Sequence, residues 1–64
     1  NMEKLKKLYD EVFYENGMIR FCGRDKCIAL ILAMEEKFPD VDFGNKGNGF
    51  LNIKNIQEYY AKLK

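Results

Sequence analysis

The stretch Cys27-Ile-Ala-Leu-Ile-Leu-Ala-Met34 places eight apolar residues in a row within a chain of 64. A helix that is apolar around its whole circumference must be covered by protein on most sides. The run is far shorter than a helix that crosses a bilayer. It therefore predicts the central helix of a very small core, capped by Gly23 or Asp25 and ending at about Lys37, before Pro39. Charged residues border the run on both sides: Arg24, Asp25, Lys26, Glu35, Glu36 and Lys37.

Two amphipathic segments flank this central helix. From Met2 to about Asn16, apolar residues recur at the spacing of one helical face, and Gly17 is suited to end the helix. The C-terminal segment predicts a second amphipathic helix of about ten residues. Either Asn52 or Asn55 can serve as its N-cap. The apolar stripe of this helix consists of Ile56, Tyr59, Tyr60 and Leu63.

Short alternating segments lie between the helices. In Met18–Cys22, Ile19 and Phe21 alternate with Arg20, which is typical of a short strand. After Pro39, two further strand patterns surround an Asn/Gly-rich turn at residues 45–49. Their apolar positions are Val41 and Phe43 on the first strand, and Leu51 and Ile53 on the second.

These elements predict one α+β domain over residues 1–64. We expect three helices packed with a small antiparallel sheet, in the order α-β-α-β-β-α. The glycine-rich segment 44–49 is expected to be a hairpin turn, because a phosphate-binding loop would open directly into a helix.

Composition argues against catalysis. The chain contains no His, no Ser and no Thr, so the commonest general base and the hydroxyl nucleophiles are missing. Eleven basic residues against ten acidic ones leave a net charge of +1. A small dedicated nucleic-acid binder more often has a clear positive excess. We expect the chain not to be an enzyme and to need no cofactor.

Cys22 and Cys27 are separated by four residues and allow several interpretations. They could form half of a zinc site shared between two copies, although four ligands are normally required. They could close a small disulfide loop, or Cys27 could be a reactive thiol beside Lys26 at a helix N-terminus. The simplest expectation is that both are buried packing residues and that the chain binds no metal.

Nucleic-acid binding is the alternative function. A hairpin that follows a helix resembles the wing of a winged-helix regulator. The cationic residues placed to meet phosphates are Arg20, Arg24, Lys26 and Lys46. Against this function, the helix that precedes the hairpin is the apolar one, and a recognition helix needs exposed polar side chains to read base edges.

The favoured function is a non-catalytic binding or regulatory module that acts through an unidentified protein partner or as a homodimer. Tyr59 and Tyr60 are adjacent, so on a helix they point about 100° apart, and one of them is expected at a surface. Exposed tyrosines are favoured anchors for partners. Lys outnumbers Arg, as is typical of AT-rich genomes, which suggests a low-GC bacterium or one of its phages or mobile elements. The charged start at Glu3 lacks a signal-peptide pattern, so we expect a cytoplasmic protein without membrane association.

Overall fold

The computed structural model describes residues 2–64 and contains three α-helices within that range. They are α1 (Met2–Val12), α2 (Arg24–Lys37) and α3 (Ile53–Ala61). Helix α2 packs mainly against α1 and over a smaller region against α3. The three helices predicted from apolar periodicity are therefore confirmed. None of the helices in the described part of the chain is long and apolar enough to cross a membrane.

Helix α2 has the predicted boundaries. Gly23 is its N-cap, with a φ of +86°, and no side chain caps the first turn. At the other end, the Phe38 N–H donates to Met34 O at 2.9 Å, and Pro39 follows immediately. Proline cannot continue the hydrogen-bond ladder and disfavours helical geometry in the residue before it, so the helix stops at Lys37.

The middle of α2 is buried, but its apolar run is not covered all the way round. Leu30, Ile31 and Met34 are inaccessible to solvent, whereas Leu32 is 48% exposed. The core therefore lies on one side of α2. It includes the following buried residues: Leu5, Val12, Phe13, Leu30, Ile31, Met34, Phe43, Ile56 and Tyr60.

Residues 18–22 do not form the predicted strand. Helix α1 ends at Val12 rather than near Asn16, because the chain turns back on itself there. The Tyr14 N–H donates to Met18 O, and the Arg20 N–H donates to Val12 O, both at 2.8 Å. One isolated antiparallel bridge, Phe13 to Ile19, results. The segment therefore pairs with Phe13, the residue after α1, at a single position.

Residues 41–53 do not form the predicted hairpin of two strands either. A single bridge joins Gly44 to Leu51, and Ile53 is already the first residue of α3. Between the bridged residues, side chains satisfy backbone donors: Asn45 Oδ1 accepts from Gly47 N–H at 2.7 Å. Asn48 and Asp42 form equivalent short turns with Phe50 N–H and Gly44 N–H. Two backbone hydrogen bonds join the segments beside the bridge, from Asn45 N–H to Phe50 O and from Asn52 N–H to Phe43 O, and the local side-chain bonds take the place of a longer ladder.

The α+β fold class is therefore wrong. Within residues 2–64 there are two isolated bridges and no sheet, so the fold is mostly helical. Each bridge closes a local turn, and each stands outside any named strand. Apolar residues that alternate along a segment are compatible with a strand, but a sheet also requires partners that pair over several residues.

Side chains on α3 attach the two long loops to the helices. Asn52 is the N-cap of α3, and its Oδ1 accepts from Asn55 N–H at 3.2 Å, which selects one of the two predicted caps. Asn55 Nδ2 donates to Asp42 O at 2.8 Å. Gln57 Nε2 donates to Gly17 O at 2.8 Å. Helix α3 therefore holds both irregular segments.

Candidate functional site

Two phenylalanines that the sequence places in strands are exposed to solvent. Phe21 is fully exposed and Phe50 is 75% exposed. Met18, Ile19 and Ile53 are exposed as well. A single exposed apolar residue is ordinary, but a group of large ones marks an interaction site. We call these five residues the apolar patch.

The residues of the apolar patch come from two segments that contact each other at both ends. Segment 17–24 meets segment 49–57 through the Gln57–Gly17 hydrogen bond at one end. At the other end Gly49 lies against Arg24, since a Cβ on Gly49 would come within 2.8 Å of Arg24 Cγ. Three patch residues lie on the first segment between these contacts and two on the second. The patch residues therefore lie on two neighbouring segments, one of which leads into the N-terminus of α2.

An oppositely charged pair borders the apolar patch. Arg24 and Asp25 open α2, and both are exposed. The three ion pairs among residues 2–64 lie elsewhere and use neither of them. Arg24, which contacts Gly49, thus places a cation beside the patch, and Asp25 supplies an anion at the next position of the helix.

The four predicted phosphate-binding cations do not come together on one surface. Arg20, Arg24 and Lys26 lie near the start of α2, whereas Lys46 Nζ pairs with Glu35 Oε1 at 3.1 Å in the last turns of that helix. Arg24 and Glu35 are eleven positions apart, which corresponds to about 16 Å along the helix.

Most of these cations already have intramolecular partners. The guanidinium of Arg20 lies 4.2 Å from the centre of the Tyr14 ring and donates from Nε to Asp10 O at 2.8 Å. Lys26 Nζ pairs with Glu11 Oε2 at 3.0 Å, linking α2 to α1. Exposed ion pairs of this kind are weak. Within residues 2–64, Arg24 is the member of the predicted set without such a contact.

The two adjacent tyrosines of α3 both contact other rings within the chain. Tyr60 is buried and stacks on Tyr9, with ring centroids 3.7 Å apart and planes within 4°. Burial raises the pKa of the Tyr60 phenol above its ordinary value, and Asp10 adds to the rise. Tyr59 is half-buried, with its ring 5.1 Å from Phe38 and 5.9 Å from Phe43. A role for either tyrosine in partner binding stays a prediction.

Cys22 and Cys27 lie next to each other at the start of α2. Their Sγ atoms are 3.9 Å apart, and both residues are half-buried and unlinked. Burial, reinforced by Cys22, raises the pKa of the Cys27 thiol to about 11, so Cys27 is not the activated thiol that its helix position suggests. Among residues 2–64, no group of three or more His, Cys, Asp or Glu side chains could hold a metal ion.

A shallow groove of about 350 Å³ lies on the surface between α1 and α2. Its floor is apolar, and Leu32 is its most exposed apolar residue. The volume lies at the lower end of the range for small-molecule sites. The lining residues are Lys4, Leu5, Leu8, Ala29, Leu32, Ala33, Glu36 and Lys37.

No protein-family model, curated protein or solved structure matches this chain. The candidate site is therefore defined by exposure and geometry alone. Sequence reasoning missed Phe21 because it alternates with Ile19 and so predicts burial on one face of a sheet, and it missed Phe50 because the apolar positions assigned to that strand were Leu51 and Ile53. A usable signal was the position of Phe50 directly after Gly49 at the end of the Asn/Gly-rich turn, where exposure is common.

Proposed function

We propose that this chain is a non-catalytic binding module that acts by self-association through the apolar patch, with a second copy of the chain as its occupant. The observation that carries the proposal is the exposure of Phe21 and Phe50 on two segments that contact each other. The cytoplasm is the proposed location, and a phage or mobile-element accessory protein of a low-GC bacterium is the proposed setting.

The size of the apolar patch supports a protein partner. A buried phenylalanine contributes about 150–250 Å² to an interface, and a standard interface removes about 800 Å² from each partner. Phe21 and Phe50 supply roughly half of that area on these values, and Met18, Ile19 and Ile53 add to it. Large apolar side chains exposed on two neighbouring segments fit another folded surface better than a small molecule.

The border charges support a second copy. In a two-fold symmetric dimer, each residue of one copy meets the complementary position of the other. Arg24 of one copy can therefore pair with Asp25 of the partner, and the reverse pair forms at the same time. Since neither residue has an ion-pair partner among residues 2–64, forming these pairs breaks no existing pair.

Sedimentation equilibrium over a range of protein concentrations tests the proposal. The parent chain is expected to form a dimer with a dissociation constant of about 100 µM or below. The Phe21→Ser, Phe50→Ser double variant is expected to remain monomeric with an unchanged circular-dichroism spectrum. Leu32→Ser is the matched control, because it removes an exposed apolar side chain from α2 outside the apolar patch. It is expected to dimerise like the parent.

An exchange of the two charges distinguishes a specific dimer from nonspecific association. Arg24→Asp is expected to weaken dimerisation, since it places like charges across the two-fold axis. Arg24→Asp combined with Asp25→Arg restores opposite charges and is expected to recover most of the affinity. Equal affinity in all three chains would contradict the proposed pairing.

Two outcomes would replace the proposed function. A parent chain that stays monomeric at millimolar concentration while folded has no self-association through this surface. Tight retention of mixed-sequence DNA in a filter-binding titration at about 0.15 M salt would favour the nucleic-acid alternative instead. With a net charge of +1, we expect only weak DNA binding that disappears at that salt concentration.

A further inference from the structure

The two cysteines occupy the junction between a loop and a helix. Cys22 lies two residues before α2, and Cys27 lies in the first turn of that helix. Their sulfur atoms are 3.9 Å apart. A disulfide bond is about 2.0 Å long, so the two atoms have to approach by roughly 2 Å for the bond to form. Side-chain rotation and a small displacement of the loop can supply a movement of this size.

The loop between the cysteines has room to move. Gly23 is exposed and has a φ of +86°, and a Cβ placed on it would meet no atom within 4 Å. The Cys22 thiol donates only a long contact to Gly23 O, at 3.8 Å. Cys22 is half-buried against the core, so the movement has to come from the exposed Gly23 and from side-chain rotation, and no strong hydrogen bond of Cys22 opposes it.

We propose that Cys22 and Cys27 are a reversible oxidation site that reacts with low-molecular-weight disulfides of the glutathione type. The Cys22 thiolate attacks one sulfur of the reagent, forming a mixed disulfide and releasing one reduced thiol. Cys27 then loses its proton, and its sulfur attacks Cys22 Sγ, releasing the second thiol and forming the intrachain bond. The protein loses two electrons and two protons, and the reagent disulfide is reduced to two thiols.

The environment of Cys27 indicates which of the two cysteines reacts second. The raised pKa of Cys27, about 11, keeps it protonated at neutral pH, so Cys27 is suited to the second step and not to the first. Closure of the bond needs the Cys27 thiolate, so its rate is expected to rise with pH. Cys27→Ala is expected to stop the reaction at a mixed disulfide on Cys22.

Equilibration in a series of reduced and oxidised glutathione mixtures tests the proposal. The reaction is quenched with acid, free thiols are alkylated, and intrachain disulfide is counted by mass spectrometry. The matched control is Lys26→Cys with Cys27→Ala. It moves the thiol by one residue, to a position whose side chain extends toward Glu11 on α1. Circular dichroism verifies that both chains are folded.

The parent pair is expected to have an oxidation constant at least about tenfold larger than the control pair, because only the parent places the sulfurs close together. In concentrated guanidinium chloride the two constants are expected to converge, since the fold no longer positions the thiols. Equal constants under native conditions, or glutathione adducts on both cysteines without closure, would overturn the inference. The readout is the mass of the chain, so the inference stands or falls separately from dimerisation.

Discussion

Phe43 and Phe50 lie seven residues apart on the loop between α2 and α3, yet their environments are opposite. Phe43 is inaccessible to solvent and packs near the rings of Phe38 and Tyr59. Phe50, on the other side of the Gly44–Leu51 bridge, is 75% exposed. The residue type is the same, so hydrophobicity does not decide which ring is buried. Burial of each ring depends instead on the direction in which its side chain leaves the turn.

The loop between α1 and α2 repeats this contrast. Phe13 directly follows α1 and is 2% exposed, with its ring 4.9 Å from Tyr9. Phe21, on the returning segment, is fully exposed. Each loop thus contributes one ring to the core and one to the apolar patch. The comparison indicates that the core of residues 2–64 forms without Phe21 and Phe50, which leaves both rings at the surface.

The largest expected effect separates the two rings of the second loop. Phe43→Ala is expected to lower the free energy of unfolding by about 3–5 kcal/mol, because it leaves a cavity among buried rings. Phe50→Ala is expected to change it by no more than about 0.5 kcal/mol. Urea denaturation of both variants at low protein concentration, where the chain is monomeric, measures the difference. Similar losses in the two variants would contradict the contrast.

The same comparison applies within α2. Leu30→Ala and Ile31→Ala are each expected to cost about 2–5 kcal/mol, since both side chains are fully buried. Leu32→Ala, at the next position and 48% exposed, is expected to cost less than about 1 kcal/mol. Thermal melts of the three variants provide the measurement. A melting temperature for Leu30→Ala or Ile31→Ala within a degree or two of the parent would show that α2 is not the centre of the core.

A smaller effect tests the contact that brings the two patch segments together. Gly49 and Gly23 have similar positive φ values, +80° and +86°, so alanine is strained at both positions. Only at Gly49 would the new Cβ also press on Arg24, at 2.8 Å from Cγ. Gly49→Ala is therefore expected to cost about 1 kcal/mol more than Gly23→Ala in urea denaturation. Equal losses would mean that segment 49–57 does not rest on the start of α2.

A further expected effect is a pH dependence that comes from Cys27. Its pKa is about 11 in the folded chain, above the ordinary value of 9.0. The unfolded chain therefore loses this proton first as the pH rises, which favours unfolding. The stabilising contribution is complete below pH 9 and is lost between about pH 9 and about pH 11. Under reducing conditions, the stability of the parent is expected to fall more steeply over this window than that of Cys27→Ala.

The helices were predictable from the sequence, and the loops were not. Periodic apolar residues and strong terminators such as Pro39 act over one or two turns, so they fix α2 without knowledge of the rest of the chain. The end of α1 depends on two hydrogen bonds with the returning segment, from Tyr14 N–H to Met18 O and from Arg20 N–H to Val12 O, and a periodic pattern contains no information about them.

The candidate site was predictable only in part. Sequence reasoning expected a binding surface on the C-terminal helix at Tyr59 and Tyr60, and both rings contact neighbouring rings in the chain. The apolar patch uses Ile53 of that helix, together with residues from two loops. Alternation at Ile19 and Phe21 predicts a buried face of a sheet, and without the sheet those side chains remain at the surface.

Intermolecular contacts measured by NMR test the self-association of the apolar patch most directly. An equal mixture of isotope-labelled and unlabelled chains, recorded with filters that pass only signals between copies, reports which protons meet across the interface. The expected result is contact between the ring protons of Phe21 and Phe50 and the methyl groups of Met18 and Ile53 of the other copy. Dimers whose intermolecular contacts arise instead from Leu32 and the groove between α1 and α2, with none from the two phenylalanines, would contradict the account.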